Sequence, residues 1–200
     1  MMNIEDCFRV LVDRFRTEII VTSAGNSSEI WWDMTRENER VFYLEASMSL
    51  ASLFAAGIAM GNPEKTVIAF NGDGAFAMNP GMLMVERQLD LPNLKHFLLS
   101  NRVYGSTNDL TMPFTQFIDY AGMARAAGLS RVYSITSVQE LQGEIDSIVN
   151  TPGHTFTVLH VQPLGRHLPS PPLDGPEVKF RFGRYLERNG CRPIFDTPLA

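Results

Sequence analysis

Residues 68–105 read IAFNGDGAFAMNPGMLMVERQLDLPNLKHFLLSNRVYG. The run that leads into it, Thr66-Val67-Ile68-Ala69-Phe70, is continuously apolar and partly β-branched, the pattern of a strand buried on both faces of a parallel sheet. Gly72-Asp73-Gly74 turns the chain, a helix spans Pro80 to Gln88, and LKHFLLS at 94–100 forms the next buried strand before Asn101 opens a polar loop. Asn101 follows Asp73 by about 28 positions. An acid after one buried strand and an asparagine after its neighbour bring two oxygens together at the strand ends. Asp73 and the Asn101 side-chain carbonyl are hard donors, and a main-chain carbonyl just past Asn101 adds a third. Such a set suits Mg²⁺ or Ca²⁺ holding a phosphate-bearing ligand. The glycines leave room for the backbone to approach phosphates, and the helix beginning after Gly74 points N–H groups at them.

Outward from this stretch the pattern repeats. Upstream lie a helix with Phe8, Leu11, Val12 and Phe15 on one face, a strand EIIVTS, the loop Ala24-Gly25-Asn26-Ser27-Ser28, and a helix carrying Trp31 and Trp32. Next come a strand Val41–Leu44 and a small-residue helix from Ser47 to Met60, ended by Asn62-Pro63. Downstream follow a helix around Tyr120 to Ala127, the strand RVYSI, a helix near Val138 to Val149 and the strand Thr155 to Val161. The order predicts an α/β class with a doubly wound, mostly parallel sheet and helices on both faces, and ligands at the carboxyl ends of the strands. The domain division reads 1–162 for this unit and 163–200 for a Pro-rich, basic extension, extended in form and packing on the domain or a partner.

The 200 residues, 44% hydrophobic and 20% charged with 17 Lys+Arg against 22 Asp+Glu, describe an ordinary folded, mildly acidic chain. They exclude a disordered tail and a basic nucleic-acid binder. Two cysteines, Cys7 and Cys191, are too few for a disulfide framework, a structural zinc site or an iron–sulfur cluster. A reduced, cytoplasmic setting and no membrane association follow, since Val41–Met60 contains Glu45 and three serines. His96 and His160 fall within strands as packed or edge residues, His154 sits in a Pro-Gly turn, and His167 is in the extension. No Walker loop or metal-binding histidine pair is present.

Alone, Gly-Asp-Gly is an ordinary turn. Together with LPNL before the next strand, Asn101 and Tyr104-Gly105, it resembles the cofactor motif of thiamine-diphosphate-dependent enzymes, with Ser100-Asn101 in place of the family's N-N pair. The resemblance implies a thiamine-diphosphate-binding fold in which Asp73, Asn101 and the main-chain oxygen of Val103 hold Mg²⁺. Gly72, Gly74, Ala75, Tyr104, Gly105 and Ser106 would then surround the diphosphate. A second segment, Phe42-Tyr43-Leu44-Glu45-Ala46-Ser47-Met48-Ser49-Leu50-Ala51, looks like F-Y-M-x-G-S-M-G-x-A of the sulfopyruvate and phosphonopyruvate decarboxylases. By that likeness Met48 is the wedge that bends the cofactor, the Ala46 carbonyl accepts from its 4′-amino group, and Ser47 lies beside it. Ala46 and Ser49 stand where the family has glycines. Taken alone Met48 reads as a core residue, and the neighbouring motif favours the wedge; Gly25 and Ser27 read as cofactor contacts or, equally, Ser27 or Ser28 as a cap for the Trp31 helix.

The likeness runs from about Val21 to Pro163 and corresponds to the diphosphate-binding half of these enzymes. The other half carries the glutamate that activates the cofactor, and Glu45 sits on the wrong side to replace it. The resemblance therefore implies a β-type subunit of a split 2-oxo acid decarboxylase, paired with a pyrimidine-binding α-type chain in an α2β2 or larger assembly and acting on a small 2-oxo acid. Arg102 is a candidate for an anionic substrate group, whereas Asp109 in Asn108-Asp109-Leu110 would disfavour a dianion if it faces the pocket. A carboligase, a 2-oxo acid oxidoreductase subunit and a non-catalytic cofactor-binding protein are the other readings.

Overall fold

A computed structural model describes residues 1–113 and 115–190. Its strands are β1 (Ile19–Ser23), β2 (Val41–Leu44), β3 (Val67–Gly72), β4 (Leu94–Ser100), β5 (Val103–Tyr104), β6 (Leu110–Thr111), β7 (Val132–Ile135) and β8 (Thr155–His160). The helices are α1 (Ile4–Arg14), α2 (Asn26–Thr35), α3 (Ala51–Gly61), α4 (Asp73–Met78), α5 (Met82–Leu89), α6 (Tyr120–Ala126), α7 (Val138–Asn150) and α8 (Gly175–Arg188). Six strands form one sheet in the order β2-β1-β3-β4-β8-β7, every neighbouring pair parallel. β5 and β6 make a separate antiparallel hairpin.

Parallel pairing forces a crossover between strands, and the crossovers cover both faces. On one face α1, α2 and α7 bury Phe8, Phe15, Trp31 and Ile145 against Ile20, Ile68, Phe70 and Phe97. Phe70 lies with its ring centroid 5.6 Å from those of Trp31 and Phe97, so aromatic rings fill the centre of this layer. On the other face α3 and α8 pack over Val21, Val67 and Ala69, and α4, α5 and α6 over Leu98, Phe156 and Val158. Successive β3 residues alternate between the layers, as the pleat requires. The strand order reverses direction at β1, whose neighbours are β2 and β3, so a crevice opens beyond the carboxyl ends of β1 and β3.

Three boundaries differ from the sequence reading. Gly72-Asp73-Gly74 is less a turn than a strand end running straight into α4, with Gly72 as the N-cap. The helix after β2 begins at Ala51, leaving Glu45–Leu50 as the connecting turn. The extension contains α8, capped by Asp174, whose side chain accepts from Glu177 N–H, with Pro176 in the first turn. Val178, Phe182 and Leu186 are buried, and the Phe182 ring meets Phe42 edge-on at 5.3 Å. Cys191 and the rest of 191–200 lie outside the described residues.

Candidate active site at the carboxyl ends of the strands

The crevice is a cavity lined by residues that four strands deliver. After β1 come Gly25, Asn26 and Ser27; after β2, Met48; at the end of β3, Gly72, followed by Asp73, Gly74 and Ala75; after β4, Asn101, Val103, Tyr104, Gly105 and Ser106. Of the residues assigned by sequence to the cofactor or metal, Ala46 and Ser47 stand outside this lining, in the same turn as Met48, and Arg102 and Asp109, weighed for the substrate, are not part of it either. Gly25 has φ 92°, which L side chains rarely adopt, and it caps α2 without any side-chain hydrogen bond to the helix's first N–H groups. Ser27 and Ser28 are not caps. Their hydroxyls donate backward, to the carbonyls of Ser23 at 2.7 Å and Gly25 at 2.8 Å.

Asp73 is 1% exposed, and its two oxygens accept from Gly74 N–H at 3.0 Å and Arg102 N–H at 2.8 Å. Arg102 reaches that position with φ 63°, so a left-handed residue directs the β4 loop back onto the acid. Burial pushes the Asp73 carboxyl up to about 6, against the opposing pull of these N–H groups and the Ser100 hydroxyl. Among the described residues no lysine or arginine side chain pairs with it. Asn101 is buried beside it, with Oδ1 accepting from Val103 N–H at 3.1 Å.

A desolvated carboxylate with no cationic side chain is suited to a metal ion. No group of three or more His, Cys, Asp or Glu gathers as ligands among the described residues. A divalent ion on Asp73, Asn101 and a main-chain oxygen therefore needs further oxygens from its ligand, as a diphosphate provides. The anion side fits as well. Asn26 Nδ2 is buried in the cavity wall without a hydrogen-bond partner, a donor available to a phosphate oxygen. The cradle is close-fitting: a Cβ at Gly74 would fall 2.9 Å from the Tyr104 ring, and one at Gly105 2.7 Å from Asn26 Nδ2.

Met48 is 36% exposed, too open for a core residue, and the following Ser49 has φ 72°. The position that is glycine in the resembled segment thus keeps a glycine-like backbone here. Glu45 is half-buried in this turn. Burial raises its carboxyl, Ser28 lowers it by hydrogen bonding and nearby Glu29 raises it further. It is not part of the cavity lining.

Two features escaped the sequence reading. Asn26 carries the unpaired donor, although only its flanking residues were assigned. His96 and His154, read as unremarkable, are joined through Glu86 in a fully buried network. The available signal was Glu86 itself, an acid in the buried stripe Met82-Leu83-Glu86 of α5.

Fold and cavity together are those of a ligand-binding α/β domain whose site sits at the topological switch point. Within that class the chain belongs to the thiamine pyrophosphate enzyme family, as its C-terminal TPP binding domain, whose model matches residues 24–161. It is 29% identical to a sulfopyruvate decarboxylase of Methanosarcina acetivorans over 182 residues, 91% of this chain and 46% of that one. A phosphonopyruvate decarboxylase of Streptomyces viridochromogenes is 27% identical over 183 residues, 89% of this chain and 44% of that one. The chain thus spans less than half the length of these two relatives. Against the sulfopyruvate decarboxylase subunit beta of Methanocaldococcus jannaschii it is 27% identical over 173 residues, 86% of this chain and 90% of the relative. In fold it matches a candidate thiamin diphosphate-dependent enzyme of Mycobacterium smegmatis with TM-score 0.68 and 22% identity, over 81% of this chain and 32% of that one.

Proposed function

We propose that this chain is the diphosphate-binding, β-type subunit of a split thiamine-diphosphate-dependent 2-oxo acid decarboxylase of the sulfopyruvate or phosphonopyruvate kind. The observation that carries the reading is Asp73, a buried acid without a cationic side-chain partner, sharing one cavity with Asn101 and the unpaired Asn26 amide. Asp73, Asn101 and the Val103 main-chain oxygen would hold Mg²⁺. Gly25, Ser27, Gly72, Gly74, Ala75, Tyr104, Gly105 and Ser106 would enclose the diphosphate, with Asn26 as an added donor. Thiamine diphosphate supplies, when bound, an electron sink for loss of CO₂ from a 2-oxo acid. This chain's own part would be to keep Asp73 from water at the metal site, to hold the anion between the β1 and β4 loops, and to support the cofactor with Met48 from the turn after β2. Ala46 offers its carbonyl from the same turn.

A pyrimidine-binding partner chain would contribute the activating glutamate, since Glu45 lies outside the cavity. The naming of a relative of matching extent as a beta subunit supports a partner. No helix among the described residues is long and apolar enough to cross a membrane. The test is calorimetric titration of thiamine diphosphate with and without Mg²⁺, followed by a decarboxylation assay with sulfopyruvate and phosphonopyruvate in the presence of the candidate α chain. Metal-dependent binding that disappears in Asp73→Ala supports the reading, and cofactor binding indifferent to Mg²⁺ and to Asp73 overturns it.

A further inference from the structure

Beneath the site, on the α5 face of the sheet, runs a row of buried polar side chains that the proposed chemistry does not use. His154 faces the Leu94 carbonyl through Nδ1 at 3.1 Å and Glu86 through Nε2 at 3.0 Å. Glu86 faces His96 Nδ1 at 3.0 Å, and His96 Nε2 lies 2.9 Å from Asn71 Nδ2. Each of the four residues is buried. Burial alone would push the Glu86 carboxyl up, but the two imidazoles outweigh it and hold the group well below the usual carboxylate range. His96 thus meets the carboxylate through Nδ1 and the Asn71 side-chain amide through Nε2, so one ring joins the two groups.

Such a row costs more desolvation than apolar packing would, and its best-attested use is to fix one arrangement among several. Here the arrangement concerns the end of β3. Asn71 is the last β3 residue with a side chain before Asp73, because Gly72 intervenes, and a Cβ at Gly72 would touch nothing within 4 Å. The strand end is therefore gripped through Asn71 or not by a side chain at all.

We infer that Asn71 is a positioning residue for Asp73, held in place by the Glu86–His96–His154 row, which sets how the Asp73 carboxylate meets the Gly74 and Arg102 N–H groups. The function of that positioning rests on the reading of Asp73 given above, while its geometry can be tested without any cofactor.

The experiment is amide hydrogen exchange followed by NMR on the unliganded chain, comparing Asn71→Leu, Glu86→Gln, His96→Leu and His96→Gln with the parent. The informative amides are Gly74 and Arg102, which donate to Asp73; the reference amides are Ile19 and Val67, bonded to the Thr66 and Asn93 carbonyls at the far end of the sheet. Asn71→Leu and His96→Leu should speed exchange at Gly74 and Arg102 at least tenfold beyond any change at the reference amides. His96→Gln, with one donor and one acceptor on its amide, should restore at least half of that protection on a logarithmic scale. Uniform acceleration, unchanged Gly74 and Arg102, or no difference between His96→Leu and His96→Gln overturns the inference. Should Glu86→Gln fail to fold, the Asn71 and His96 variants decide the matter. Titration of the parent with Mg²⁺ and thiamine diphosphate tests the functional reading separately, so its failure leaves the exchange result standing.

Discussion

The side-chain amide of Asn26 rests directly against the backbone of Gly105, so close that a Cβ there would fall 2.7 Å from Nδ2 and 2.8 Å from Oδ1. The β1 and β4 loops thereby meet across the cavity, and the missing side chain of one residue holds the amide of the other.

Gly105→Ala should displace the Asn26 amide rather than unfold the domain, because the atoms in the way are the far end of a movable side chain. Cofactor affinity is expected to fall about tenfold, roughly 1.4 kcal/mol, with stability changed by less than about 1 kcal/mol. Adding Asn26→Ala should then cost little more, so calorimetry on the two single variants and the double variant should show strong non-additivity.

Asp73 makes the unliganded chain sensitive to pH. Its folded-state value of about 6 lies above the ordinary 3.8, so its contribution to stability is fully present below pH 4 and lost as pH rises through about 6. The loss amounts to on the order of 3 kcal/mol. Chemical denaturation between pH 4 and 8 should show this decline in the parent, and Asp73→Asn should flatten that component of the profile.

Ser49 occupies a left-handed conformation at φ 72° that glycine adopts without steric cost. Ser49→Gly is expected to stabilise the protein by about 0.5–1 kcal/mol, the relief of backbone strain exceeding the added entropy of the unfolded chain. For a chain of this size that raises the melting temperature by roughly 1–4 °C in a thermal scan.

Met48 should separate activity from stability. Exposed to 36%, it contributes little packing, so Met48→Ala should change stability by less than about 0.5 kcal/mol. If it supports the cofactor as proposed, kcat in the assembled enzyme should drop at least tenfold with thermal stability unaltered. Phe182→Ala is the opposite case: a ring 4% exposed on α8 should cost about 3 kcal/mol, measured by denaturant unfolding.

The sheet was readable because buried parallel strands leave continuous apolar runs, as in Val67–Phe70 and Phe97–Leu99. The cavity was readable because its chemistry demands an acid, an amide and glycines at strand ends. What stayed hidden depends on distant partners. Glu86 meets His96 and His154 only once α5, β4 and the turn before β8 have assembled, and no local pattern encodes that meeting. α8 carried an overlooked local signal: Asp174, Pro176 and Glu177 open a helix whose Val178, Phe182 and Leu186 share one face. The preceding prolines drew attention away from it.

The order β2-β1-β3-β4-β8-β7 also bears on how the protein is made. Every ladder in the main sheet joins segments separated by a crossover, so the pairings are non-local and the chain is expected to fold slowly. Residues 25 to 106 reach the cavity from four different strand ends, so it cannot form before β1, β2, β3 and β4 are in register. Capacity to take the cofactor would therefore be acquired late and all at once during refolding.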